Sequence, residues 1–219
     1  MPLSVPADAG RALFEESAGA LLKAVDGLSE LELFEASRCR GWTRLDVVVH
    51  VLAGWQEVLG GLVSVVEDAP TVDAATFWTA FTSTADADPV GVLMEQRRRT
   101  ATYARPSAAL AQLQDVARAV RRGVHAAPAG NRLWWGEVFT LGDFFATWAV
   151  EHVVHHLDLR VSTPPSPTSL TLARESVEVL AGGVLPTTDD VEAVLVGTGR
   201  LPVPTAWDAG WHRRLPAFG

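Results

Sequence analysis

The stretch 141–160, LGDFFATWAVEHVVHHLDLR, constrains the fold more than any other part of the chain. Its apolar residues recur at helical spacing, yet it also holds three histidines and three carboxylates. Burying a polar group without a partner costs roughly 2–7 kcal/mol, and a bare charge costs more. Advancing 100° per residue from Glu151 puts Phe144 near ~20°, His155 near ~40°, Trp148 near ~60°, and Leu141 and Leu159 near ~80°. Glu151 and His155 therefore lie inside a stripe of large apolar side chains, as neighbours one turn apart on the same face. His152 and His156 point nearer ~100–140°, toward the flank of the stripe, and are expected to be exposed or to sit behind the main residues. Such a helix has to be central, and something must offset the cost of its acid and imidazoles.

The rest of the chain supplies helices to surround it. Segment 8–26 places Phe14, Ala18, Leu21 and Val25 on one face, with Asp8 as expected N-cap and Gly27 as stop. Segment 43–67 is apolar over most of its circumference; Thr43 can cap it, and Asp46 in its first turn suits the helix dipole. Segments 89–104 and 107–123 also read as helical, with a break at Pro106 because proline disfavours helical geometry at Arg105. Residues 68–87 read as irregular with a short helical piece around DAATFWTAF, and 124–140 as a loop rich in Gly, Pro and Trp. From 163 the proline-rich TPPSPTS reads as a linker. Two shorter helical stretches and an aperiodic end, GRLPVPTAWDAGWHRRLPAFG, follow it. With no strand alternation, the expected class is all-α: a four-helix bundle over 1–162 and a small, mainly helical extension over 163–219.

Charge and composition narrow the partners. A formal net charge of -8 argues against nucleic acid. No uninterrupted apolar run reaches the ~20 residues of a membrane span, so no membrane partner is expected. The N-terminus lacks a basic region followed by an apolar run, and Cys39 is the one cysteine, which excludes an internal disulfide. A cytoplasmic monomer or homodimer is the expectation. Lys23 is the one lysine among 18 basic residues, a bias typical of GC-rich genomes.

Two ligands at i and i+4 on a helix can grip one metal ion, and a third must come from elsewhere. His50, alone among apolar residues of the second long helix and one turn before Gly54, which leaves room beside it, is the candidate. Two histidines and a carboxylate leave an open position, the pattern of a catalytic divalent site. Read alone, His50 is better explained as a hydrogen-bonded core histidine than as a metal ligand. Asp158 could fix the orientation of His155 through its second ring nitrogen, or cap the helix end. Trp55, Trp78, Trp134 and Trp135 are candidate pocket walls or plain core. Arg200, Arg213 and Arg214 could meet an anion or be solvated, and Arg97–Arg98–Arg99 reads as a wet helix face. His125 and His212 are expected in solvated loops.

The residues Trp42, Thr43, Asp46 and His50, followed about a hundred residues later by Glu151, His155, Asp158 and Leu159, resemble the paired motifs of the DinB-like superfamily. Within it the closest likeness is to the mycothiol-dependent maleylpyruvate isomerase family, and it covers roughly residues 8–160. The resemblance implies a bundle holding a divalent metal on His50, Glu151 and His155, with zinc foremost and nickel, iron or manganese also suited. It implies mycothiol, a low-molecular-weight thiol of actinobacteria, as cosubstrate. The expected chemistry is attack by a metal-activated thiolate on a small electrophile, as S-transferase or isomerase, with Asp158 assisting at His155. The alternatives are a metal-dependent hydrolase with a metal-bound water, for which Glu57 could be the base, and a non-catalytic metal-stabilised binding protein.

Overall fold

The computed structural model describes residues 2–79 and 88–218. Helix α1 spans Ala7–Asp26 and α2 spans Arg44–Val63; α3 is Pro89–Ala101 and α4 is Pro106–Ala126. The central α5 is Leu141–Asp158. The extension adds α6 (Pro167–Ala181), α7 (Asp190–Gly197) and α8 (Ala209–Arg214). Within the bundle α1 packs along α5, and α2 along α4. The expected helical class is therefore what the chain adopts.

Local chemistry explains where the helices start. Thr43 and Asp46 form a reciprocal capping box at α2: Asp46 N donates to Thr43 Oγ1 at 3.2 Å, and Thr43 N to the Asp46 carboxylate at 2.7 Å. Asp46 is fully buried and pairs with Arg97 at 2.9 Å, so the Arg97–Arg98–Arg99 run is not simply a wet face. Pro106 opens α4 after an extended Arg105, as its fixed φ favours. At α1 the cap is Pro6 rather than Asp8, which lies in the first turn. The preceding Val5 N–H instead reaches the Asp143 carboxylate of α5 at 2.7 Å. By length and composition alone α2 could cross a membrane; here Val47, Val48, Leu52, Trp55 and Val58 bury it in the bundle core.

The absence of strands was the wrong expectation. Strands β1 (Val65–Val66), β2 (Asn131–Trp134) and β3 (Glu137–Phe139) form an antiparallel sheet in that order. Trp135 and Gly136 join β2 to β3, both with positive φ (53° and 80°), as a two-residue hairpin turn of the primed type requires. The helical piece expected around DAATFWTAF falls partly outside the described residues, at 80 and 81; Phe77 and Trp78 are buried.

The extension folds back on the bundle. Helix α6 packs on α5 and α1, and Ser169 Oγ donates to the Leu13 carbonyl at 3.1 Å. The aperiodic C-terminal end contains α8, whose Trp211 is buried.

His152 occupies the centre of the bundle, not its surface. Its Nε2 receives the Trp55 indole N–H at 2.7 Å, and its Nδ1 lies 2.8 Å from Ser17 Oγ. An indole nitrogen only donates, so the neutral ring carries its proton on Nδ1 and gives it to Ser17, which donates in turn to the Phe14 carbonyl. Burial lowers the His152 pKa to about 3, so the ring stays uncharged. Replacing Trp55 by phenylalanine orphans Nε2 in the core; a loss of about 1–3 kcal/mol in urea unfolding is expected.

Candidate metal centre

Helix α5 carries Glu151 and His155 one turn apart, and α2 brings His50 against them. His50 Nε2 lies 3.2 Å from Glu151 Oε1, and His155 Nε2 lies 3.0 Å from the same oxygen. The two imidazole planes meet at 71°, with centroids 4.6 Å apart. Trp42 packs edge-on against His50. One donor atom from each of the three residues lies within 4.8 Å of the others, a set that could hold a metal ion. Two imidazole nitrogens and one carboxylate oxygen are the donors of three-ligand zinc sites, and the residues fit such an ion.

Burial pushes the Glu151 carboxyl up, but the charge and hydrogen bonds of His155, with a bond from His50, outweigh it and hold it well below the usual carboxylate range. Burial pushes His155 down, while Glu151, Asp158 and Cys39 raise it well above the usual imidazole range.

Behind His155 stands a second layer. Its Nδ1 lies 3.0 Å from Asp158 Oδ2, the contact expected of a residue that orients a ligand. Asp158 is fully buried; it also accepts the Cys39 thiol at 3.0 Å and Arg200 Nε at 3.2 Å. Burial raises Asp158, but the His155 hydrogen bond and the Arg200 charge prevail and lower it to about 2. The sequence did not point to Cys39; Arg200, read there as an anion contact or a solvated side chain, here meets the Asp158 carboxylate. Cys39, His155 and Asp158 form another possible ligand trio. Burial pushes that thiol up, away from the thiolate that metals bind, and Arg200 already supplies the positive charge.

The loop between α1 and α2 closes the same corner. Arg38 N donates to the Asp158 carbonyl at 3.0 Å, and Arg44 Nη2 to the Arg160 carbonyl at 3.2 Å. The end of α5 is thereby tied to the start of α2.

A cavity opens beside His50 and Glu151, walled by Trp78, Trp134, Trp135 and Trp148. Three of the four expected tryptophans are there; Trp55 is not, being committed to His152. Trp148 was overlooked as a wall. The room expected beside Gly54 is already taken, because a Cβ there would lie 2.8 Å from Trp148 Cζ3. Glu57, the candidate base of the hydrolase reading, also lines the cavity, and its Oε2 accepts the Trp135 and Trp134 indole N–H groups at 3.0 and 3.3 Å.

The remaining histidines and arginines lie elsewhere. His156 is buried and donates from Nε2 to the Thr163 carbonyl at 2.7 Å. His125 sits on the last turn of α4, 3.3 Å from Glu15, and His212 on α8; both are on helices rather than in loops, and both are exposed. Arg213 is exposed, and Arg214 stacks on Trp211 at 3.9 Å.

Comparison with known proteins agrees with the two motifs. The fold is similar to the crystal structure of a histidine-to-alanine mutant of the mycothiol-dependent maleylpyruvate isomerase. The TM-score is 0.51 at 11% identity, over 81% of this chain and 70% of that one. No curated protein matches the chain. The family model of the mycothiol maleylpyruvate isomerase N-terminal domain matches residues 14–160, more than half of the sequence and all three candidate ligands. The chain belongs to the mycothiol maleylpyruvate isomerase N-terminal domain family.

Proposed function

We propose that the chain is a metal-dependent, mycothiol-using S-transferase or isomerase acting on a small electrophile. Family membership supports a mycothiol-dependent enzyme of the maleylpyruvate isomerase type. The observation that carries the finer reading is the convergence of His50 Nε2 and His155 Nε2 on one oxygen of Glu151. His50, Glu151 and His155 would hold the divalent ion, with Asp158 as the residue that assists at His155. The ion would act as a Lewis acid, lowering the pKa of a thiol so that it reacts as thiolate.

The protein's own groups have separate tasks. Asp158 keeps the His155 proton on Nδ1 and so leaves Nε2 free as a ligand atom. Arg200 favours the ionised form of Asp158, and four tryptophans give the cavity beside the ligands a largely apolar wall. The thiol would lose its proton to solvent and its sulfur would add to a carbon of a conjugated double bond, whose π pair shifts to the carbonyl oxygen as an enolate. Protonation of that enolate gives a thioether; rotation about the new single bond, return of the pair and expulsion of the thiolate give an isomer. In this reading residues 1–162 form the catalytic bundle, and the 163–219 extension contributes Arg200.

The test is to add mycothiol and a panel of electrophiles to the purified protein and follow products by mass. Thioether or isomer that requires mycothiol is expected. Turnover without thiol would instead establish the hydrolase, and no product with any electrophile would favour the non-catalytic binding protein. A second experiment isolates the layer behind the ligands. Asp158→Asn should weaken zinc binding about 10–100-fold in competition with a chelator, and Arg200→Ala should act in the same direction.

A further inference from the structure

We propose that the cavity where the end of α5 meets the linker and α7 is a second binding site, separate from the candidate metal centre, that takes a small organic phosphomonoester. It goes beyond the thiol chemistry above and does not rest on it.

The cavity has a volume of about 420 Å³ and shares no lining residue with the one beside His50 and Glu151. Four parts of the chain meet around it: the α1–α2 loop with Arg38, the end of α5 with Leu157 and Arg160, the linker at 162–165, and Val191 of α7. The linker wall is fixed, because His156 Nε2 donates to the Thr163 carbonyl at 2.7 Å. The loop wall is fixed as well, by the bond from Arg38 N to the Asp158 carbonyl at 3.0 Å.

The charge at this cavity is one-sided. Two guanidiniums line it and no carboxylate is among the lining residues. Neither Arg38 nor Arg160 makes a side-chain hydrogen bond or ion pair with a described residue. Elsewhere Arg44, Arg97, Arg174 and Arg200 each meet a carboxylate. The acids nearest along the chain are already engaged, Asp158 by His155 and Arg200, and Asp190 by Arg174. Two unpaired cations at one concavity leave a positive field whose complement is an anion. One guanidinium fork satisfies a carboxylate. Two forks from different elements, with the Ser162 and Thr163 hydroxyls on the same lining, match the three outer oxygens and double charge of a phosphate ester. Leu157, Pro165 and Val191 give the cavity an apolar side, which suits an organic body on the ester.

The backbone at Arg160 supports the same reading. Its φ is 55°, just past the end of α5, where glycine fits without penalty and other residues do not. What arginine brings to that place is a guanidinium on the cavity lining. A cation also suits a helix C-terminus, and the binding measurement separates the two roles.

Phenyl phosphate, benzoate and benzyl alcohol serve as probes, by calorimetry on the full chain, chelator-treated and zinc-loaded. Phenyl phosphate should bind the chelator-treated protein about tenfold more tightly than benzoate, and benzyl alcohol should bind least. Arg38→Gln and Arg160→Gly should each weaken phenyl phosphate about tenfold, whereas Arg213→Gln, an exposed position on α8, should leave it unchanged. Arg160→Gly should melt no lower than the parent, so its loss of binding is not a loss of fold. In the parent protein, nuclear Overhauser contacts should link the phenyl protons to the Leu157 and Val191 methyls, a readout independent of any variant. Equal or tighter binding of benzoate or benzyl alcohol, unchanged affinity in either arginine variant, or an absence of those contacts would each overturn the proposal. So would binding seen only in the zinc-loaded form, which would put the phosphate on the metal centre, or no binding at millimolar concentration.

Discussion

Glu151→Gln is expected to strip the protein of its divalent ion. The parent chain should retain stoichiometric metal after dialysis, while Glu151→Gln and His50→Ala should retain little. The amide is isosteric with the carboxylate but removes the charge on which His50 and His155 converge. Loss of a group behind a ligand already lowers affinity about 10–100-fold, so loss of a ligand itself should cost at least about a hundredfold. Elemental analysis by mass spectrometry, with a competing chelator for affinity, gives the measurement. Far-ultraviolet circular dichroism should show the helices unchanged. Undiminished metal in both variants would remove the basis of the proposed chemistry.

The second large effect concerns stability. Helix α1 and the residues leading into it lie so close to α5 that backbones touch at two glycines. A Cβ at Gly142 would lie 1.9 Å from the Val5 carbonyl oxygen, and one at Gly10 would lie 2.3 Å from the Gly142 carbonyl oxygen. Alanine improves helix propensity by about 1 kcal/mol. The obstruction here is backbone, which cannot turn aside as a side chain can, so α1 has to shift against α5 and strain the Ser17–His152 contact. Overpacking usually costs about 1–3 kcal/mol, and a clash against backbone belongs at or above the upper end. Gly142→Ala should therefore lower the melting temperature by about 6–12 °C for a net loss of roughly 3 kcal/mol. Gly19 on α1 is the control: a Cβ there meets nothing within 4 Å, so alanine should stabilise. Equal melting temperatures for Gly142→Ala and the parent would contradict the packing.

Periodicity revealed the long helices because each buries one face, and proline and threonine marked the starts of α4 and α2. Glu151, His155 and His50 stood out for the same reason, as ionisable groups amid apolar neighbours. The hairpin escaped because Trp135 occupies a positive-φ turn position that usually signals itself by Asn, Asp or Gly. His152 was misplaced because its partners, Ser17 and Trp55, lie on two other helices and leave no trace in local spacing. Cys39 escaped, and Arg200 was legible only as a possible anion contact with no partner named, for a related reason: one lies in a loop and the other in the extension, and chain folding alone brings them to Asp158. The wall role of Trp148 depends on the missing side chain of Gly54, a steric relation between two helices.

The bonds from Arg38 and Arg44 to the end of α5 carry a thermodynamic consequence. They hold the end of α5 to the start of α2 with no ion present, so an ion at the proposed site would not need to organise the polypeptide. In a zinc finger the ion's binding energy is largely consumed in folding. At the proposed site it would instead be free to appear as affinity, and a chain treated with chelator should remain cooperatively folded and native-like.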